Sequence, residues 1–219
     1  MADGVPVTLC IDALKDELGG IGRYTWELSQ RLPTQRNIES VRYFVSNRMI
    51  DDPQRLLGGE QIYPGRGLRR VARSWISRRA LRSRVVHAPN YFLPSAAEMG
   101  VVTVHDLSVF RYPETHPRSR VRQFERLFDD SLKRAAHIIT DTETVRHELI
   151  DMFDVSADRV TAVALGVSDR FRPANHDAIA KTLRAWDLER GGYGLCVSAL
   201  EPRKKVSELL SVWRRLPGR

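Results

Sequence analysis

Apolar residues in this chain fall either in short continuous runs or in longer stretches where they recur every three or four positions. The runs Val5–Ile11, Val41–Ser46, Arg84–Ala88, Gly100–His105, His137–Thr140 and Arg159–Val163 predict strands buried on both faces, since a half-solvated strand would alternate apolar and polar side chains. The periodic stretches predict helices. Ile21, Tyr24, Leu28 and Leu32 mark one after the first strand; Val121, Phe124, Leu127, Phe128, Leu132 and Ala135 mark a long one; Thr144–Phe153 is a third. Residues 47–67 read as a polar connection containing glycine and proline. Buried strands alternating with helices predict a doubly wound, Rossmann-like α/β sheet with mostly parallel strands.

Phe171-Arg-Pro-Ala-Asn175 breaks this rhythm and suggests a first domain over residues 1–174. Residues 175–219 begin with a helical pattern (Ile179, Leu183, Trp186) that ends at Gly191 and Gly192. Tyr193–Leu200 then predicts a new strand running into the basic turn Glu201-Pro-Arg-Lys-Lys205, before a helix marked by Val206, Leu209, Leu210 and Trp213. A strand, a cationic turn and a helix N-terminus together favour a phosphate. The expectation is an incomplete second domain, so that the chain is a fragment, a truncated product or one part of a split enzyme.

No apolar run reaches 18 residues, and Met1–Val7, with Asp3, lacks the basic and apolar regions of a signal peptide; the expected location is cytoplasmic. Cys10 and Cys196 both lie in apolar, strand-like runs and are expected to be reduced core residues, with no metal-type spacing around them. The net charge of +8 is uneven: eight arginines and no acid lie between Arg66 and Arg84, interleaved with Leu68, Val71, Ala72, Trp75 and Ile76 at helical spacing. Two readings stay open for this helix. Its apolar stripe packs on the domain core, or it faces an anionic lipid surface through Arg69, Arg70, Arg73 and Trp75. Nucleic acid is not expected as a partner, because no stacking aromatics elsewhere accompany the arginines.

Ligands of such sheets bind beyond the carboxyl ends of the strands. There the sequence places Asp12, and then Gly19, Gly20 and Gly22 at a helix start, where the backbone can approach an anion or simply turn tightly. His105-Asp106 follows the fourth strand and is the sharpest candidate for chemistry, with a satisfied structural histidine as the alternative. His87 is read as structural or as a cleft-lining residue. Asp141-Thr-Glu-Thr144 offers a helix cap through Thr142 or Thr144, with Glu143 beside it, and Gly166 is a further turn.

Gly19-Gly-Ile-Gly-Arg-Tyr24, Val86-His-Ala-Pro-Asn90, Val102-Thr-Val-His-Asp106, Thr142-Glu143 with Arg146, Gly166-Val167 with Phe171-Arg-Pro173, and Glu201-Pro-Arg-Lys204 together resemble the motifs of family-4 retaining glycosyltransferases, in order and over most of the chain. The nearest flavour is the bacterial mannosyltransferase-like group that builds O-antigen or exopolysaccharide. The resemblance implies a GT-B architecture of two Rossmann-like domains, the acceptor mostly on the first and the sugar nucleotide mostly on the second. It implies transfer of a hexose, with mannose from GDP-mannose preferred, to a lipid-linked or polysaccharide acceptor with retention and without a metal ion. It places Gly19, Gly20 and Gly22 near the donor phosphates or acceptor, His105 on the donor sugar, and Arg203 and Lys204 on the diphosphate. Asp106, Thr142, Glu143 and Gly166 are further binding candidates. The chain departs from the family at Lys205, where an asparagine is usual, and at Ser198 or Ala199, where a glycine is usual; the family's acidic pair lies further on. The alternatives are an inactive sugar- or acceptor-binding module and a membrane-surface protein using the basic helix.

Overall fold

In the computed structural model, residues 4–63 and 67–216 are described, without the side chains of residues 67–70 and 176; Arg66 and the side chains of Arg69 and Arg70 thus lie outside the described residues. The elements are β1 (Val5–Cys10), α1 (Gly20–Arg31), β2 (Ile38–Val45), β3 (Arg48–Ile50), α2 (Gln54–Leu57), α3 (Gly67–Leu81), β4 (Val85–Ala88), β5 (Gly100–Val104), α4 (Ser108–Arg111), α5 (Arg118–Arg134), β6 (Ala135–Thr140), α6 (Glu143–Phe153), β7 (Val160–Ala162), α7 (His176–Ala185) and α8 (Val206–Trp213). Contacts divide the chain into two compact units, Met1–Ala164 and Leu165–Arg219. The division falls just after the last strand, earlier than the expected boundary at residue 174, because regular structure lapses once β7 ends.

In the first unit the described strands form one sheet in the order β3-β2-β1-β4-β5-β6-β7. All neighbouring pairs are parallel except β2–β3. The chain leaves β1 toward β2 on one side and later returns to place β4 on the other, so the order reverses between β1 and β4. At such a reversal the connections diverge and leave a crevice at the carboxyl edge. Successive residues of β1 serve opposite faces: Leu9 and Ile11 join Tyr43 and Val45 in one core cluster, while Cys10 joins Phe44, Val86, Phe124 and Phe128 in the other. This two-sided burial explains why the strands read as continuous apolar runs.

The polar connection expected at residues 47–67 contains the edge strand β3 and the single turn α2. Ser46 and Asn47 close the β2–β3 hairpin with positive φ angles of 50° and 58°, the left-handed pair that a two-residue hairpin turn demands. Helix α3 forms as the periodicity predicts, but the described part of its apolar stripe does not pack on the core. Ser77 and Leu81 are buried, whereas Val71, Trp75 and Ile76 face water. Arg84, counted among the basic cluster, turns inward instead. Its guanidinium donates to Thr8 Oγ1 at 2.9 Å, Val7 O at 2.7 Å and Ser40 O at 3.1 Å, tying together the starts of neighbouring strands.

The second unit corrects two expectations. Tyr193–Leu200 forms no strand, and Cys196 is exposed rather than a core residue, while Cys10 is buried as expected. The unit holds no strand among the described residues against which this run could pair. An isolated extended segment leaves its peptide groups to water and gains no packing face. Helix α7 is capped by Asn175, whose side chain accepts from Ala178 N at 2.9 Å. A single 3₁₀ turn at Pro202–Lys204 leads through Lys205, at φ 50°, into α8.

Candidate active site

The carboxyl ends of β4, β5 and β6 bring three sequence-distant segments to one point. His105 follows β5, Asp141 follows β6, and Pro89-Asn90-Tyr91 follows β4. His105 Nδ1 lies 2.8 Å from Asp141 Oδ2, and its Nε2 lies 2.8 Å from Pro89 O. The Pro89 carbonyl can only accept, so Nε2 carries a hydrogen. The contact to Asp141 requires a second hydrogen, giving either an imidazolium facing a carboxylate or a neutral ring facing a protonated acid. In both forms the pair has no net charge. Both nitrogens of His105 are thus engaged by protein atoms, and neither is free for a sugar hydroxyl in this arrangement.

The ring of His105 is boxed by edge-on contacts to Tyr24 and Tyr91, with centroids at 5.0 and 5.7 Å. Tyr24 stands on α1 four residues past Gly20, so this packing carries the helix start to the histidine. Its hydroxyl meets Thr103 Oγ1 at 3.3 Å, and Thr103 Oγ1 also lies 2.9 Å from His87 Nε2. His87 is structural by this geometry: burial lowers its pKa to about 4 and keeps the ring neutral near pH 7.

Tyr91 adopts a φ of 63° although it is buried and aromatic. Such a conformation persists only where its surroundings over-determine it, and it is enriched at functional sites. Phe124 packs against the ring with centroids 4.9 Å apart, and the hydroxyl accepts from Asp106 N at 3.3 Å, so Tyr91 braces His105 and Asp106 together. Asp106 in turn accepts from Ser108 N at 2.9 Å and Ser108 Oγ at 2.6 Å, fixing the turn into α4.

Two buried side-chain oxygens have no hydrogen-bond partner among the described residues: Asn90 Oδ1 and Asp141 Oδ1. They flank the two residues that hold His105, one following Pro89 and the other belonging to the Asp141 carboxyl group. An unsatisfied buried acceptor is costly, about 1–3 kcal/mol each. Two such acceptors, one on the carboxylate that holds His105 and one on the residue after Pro89, suit a ligand that brings hydroxyl or N–H donors.

A cavity of about 560 Å³ opens next to this point, at the ends of β1, β2 and β4 and against α5. Asn90 lines it, together with Asp12, Phe44, Phe92, Gln123 and Arg134. Burial raises the pKa of Asp12, opposed by the N–H of Ser46, which donates to Asp12 Oδ1 at 3.1 Å. The cavity thus combines apolar walls with polar groups of both donor and acceptor kind, the usual lining of a small-molecule site.

The glycines at the start of α1 divide by role. Gly22 is a packing position: a Cβ there would meet Ala13 O at 3.0 Å. At Gly19 and Gly20 a Cβ would meet nothing within 4 Å, and Gly19, with φ −72° and ψ −178°, is ordinary extended backbone. A tight turn therefore does not explain these two, which leave open space at a helix N-terminus.

Thr142 caps α6, accepting from Val145 N at 3.2 Å, and Glu143 approaches Arg146 at 3.4 Å, so both serve the helix next to Asp141. In the second unit Gly166 lies on exposed chain, Arg203 Nε donates to Glu201 Oε2 at 2.8 Å, and Lys204 is exposed. Among the described residues no cluster of three or more His, Cys, Asp or Glu could hold a metal ion, and no helix is long and apolar enough to cross a membrane.

Sequence reading missed Asn90 and Tyr91 as site residues and took Asp141 only as part of a helix start. Pro89-Asn90 after an apolar run was the available signal for the first. Nothing local could show the left-handed tyrosine or the pairing of Asp141 with a histidine 36 residues away.

The sequence model of Glycosyltransferase Family 4 matches residues 18–171. The chain is also similar to the O-antigen chain mannosyltransferase B of Escherichia coli, with 33% identity over 230 residues that cover 96% of this chain and 60% of the relative. The chain thus spans about 60% of the length of the curated relative it matches.

Proposed function

Because the chain belongs to glycosyltransferase family 4, we propose that it supplies the acceptor-side domain and part of the donor side of a retaining hexosyltransferase. The hexose is mannose, the donor is GDP-mannose, and the acceptor is a lipid-linked or growing polysaccharide chain. The reaction is placed in the cytoplasm, at the inner face of the cell membrane. The mannose assignment draws on the name of the Escherichia coli relative.

The observation that carries the proposal is the pair of orphaned acceptors at the carboxyl edge of the sheet, Asp141 Oδ1 on the carboxyl group that holds His105 and Asn90 Oδ1 on the residue after Pro89. A saccharide is a dense array of hydroxyl donors and would satisfy both. In this reading His105 meets the donor sugar through Nε2–H, exchanging the Pro89 carbonyl for a hydroxyl oxygen, while Asp141 keeps the ring in place. The open N-terminus of α1 at Gly19 and Gly20 offers N–H groups to an anionic or hydroxyl-bearing substrate. Arg203 and Lys204 neutralise the departing diphosphate, which is electrostatic stabilisation of the developing charge without a metal.

The test joins this chain to the remaining length of the Escherichia coli relative and follows mannosyl transfer from GDP-mannose, with NMR of the product's anomeric carbon. Transfer with retention is expected. Lys204→Ala should lower turnover by roughly two to three orders of magnitude, as for loss of a transition-state charge partner. Wild-type turnover in Lys204→Ala would remove the diphosphate role, and transfer from a different sugar nucleotide would replace the donor. Mannoside binding to the present chain, detected by NMR titration and abolished in Asn90→Leu, combined with no transfer by the fusion, would instead establish a saccharide-binding module.

A further inference from the structure

Helix α3 is a basic feature that the saccharide site does not use. Its inward side is marked by Ser77 and Leu81, one turn apart and both buried; Ser77 Oγ donates to Asn47 O at 3.1 Å. Val71, Trp75 and Arg79 are spaced four residues apart, so they share the outward side, and Arg82 lies just past the end of the helix. Exposure agrees with the spacing: Val71 and Trp75 are each 68% exposed and Ile76 is 60% exposed. Arg78 and Arg79 neighbour these apolar groups along the helix, Arg82 follows it, and the stretch from Arg66 to Arg84 contains no acid. Arg82 reaches Glu98 at 3.1 Å, and Met99, next to Glu98 in the chain, is 61% exposed.

We propose that the outward face of α3 is a docking surface for an anionic lipid bilayer. A helix that turns a tryptophan and aliphatic groups to water beside arginines places its apolar groups among acyl chains while its cations remain at the headgroups. The indole is suited to that boundary because one end is apolar and the other donates a hydrogen bond. A second copy of this chain is a poor occupant, since two-fold pairing through α3 would set arginines against arginines. The proposal does not depend on the transfer reaction and concerns a different surface of the first unit.

The decisive experiment is co-sedimentation of the 219-residue chain with vesicles of phosphatidylcholine alone or mixed with phosphatidylglycerol, at low and high salt. Binding is expected only to the anionic vesicles and should weaken as salt screens the arginines. The triple variant R78A/R79A/R82A should lower the partition coefficient by about a hundredfold, given the usual contribution of each cation at a membrane surface. Trp75→Ser should lower it by about tenfold through lost apolar burial. Unchanged far-UV circular dichroism establishes that both variants fold. Brominated lipid should quench tryptophan emission in the parent chain and do so less in Trp75→Phe, which keeps the bulk but not the indole. Equal binding to neutral vesicles, or binding untouched by both variants, overturns the proposal. So does self-association that Trp75→Ser abolishes, or retention by RNA without retention by vesicles.

Discussion

Two apolar runs in this chain look alike and end differently. Ala135–Thr140 becomes β6, paired with β5 on one side and β7 on the other, and Ile138 is fully buried. Leu195–Leu200 forms no strand, and Leu195, Val197 and Leu200 are 79%, 88% and 87% exposed. Both runs have the composition of a buried strand, yet only the first has neighbours to accept its peptide hydrogen bonds and cover both its faces. A strand is a property of a sheet, and β-propensity measures how well a segment suits a surface that must already exist.

The largest expected effect sharpens this contrast. Phe128 is buried in an aromatic cluster with Phe110, Phe124 and Phe153, so Phe128→Ala should destabilise the first unit by about 3–5 kcal/mol. Val197→Ser, made in the exposed run, should change stability by no more than about 0.5 kcal/mol. Urea unfolding followed by circular dichroism measures both. A comparable loss from Val197→Ser would mean that the second run is packed after all.

Acid should also separate the units. The unfolded imidazole of His87 takes a proton below about pH 6.5, whereas in the folded sheet burial delays protonation to about pH 4. The unfolded state therefore binds more protons in that window, and the stability present above pH 6.5 is lost as the pH falls through it. The loss from this one group should approach about 3 kcal/mol by pH 4. His87→Gln should flatten the acid limb of the pH–stability curve; an unchanged limb would assign it to other groups.

The smallest effect lies in the second unit. Lys205 enters α8 at φ 50°, a left-handed conformation that asparagine tolerates better than lysine. Lys205→Asn should stabilise the α8 entry by about 0.5 kcal/mol, seen as slower amide exchange in that helix. No change in exchange would mean that the 3₁₀ turn and Lys205 fray together.

What was legible in the sequence follows the range of the interactions involved. The alternation of buried strands with helices, the buried Cys10, the Thr142 cap and the position of His105 at a strand end all follow from residues within a turn or two of one another. That local range is also why the motifs from Gly19 to Pro173 pointed to the family that the chain belongs to. The order of the strands, the pairing of His105 with Asp141, the left-handed Tyr91 and the orphaned oxygens of Asn90 and Asp141 were not legible, because each depends on segments brought together only by the sheet. The outward turn of Trp75 belongs with them. Helical spacing determined that Val71, Trp75 and Arg79 share a side, and only tertiary packing, through Ser77 and Leu81, decided that this side meets water. Periodicity fixes relationships within an element at the cost of a few dihedral angles, whereas burial is a free-energy difference between whole surfaces that no single element can settle alone.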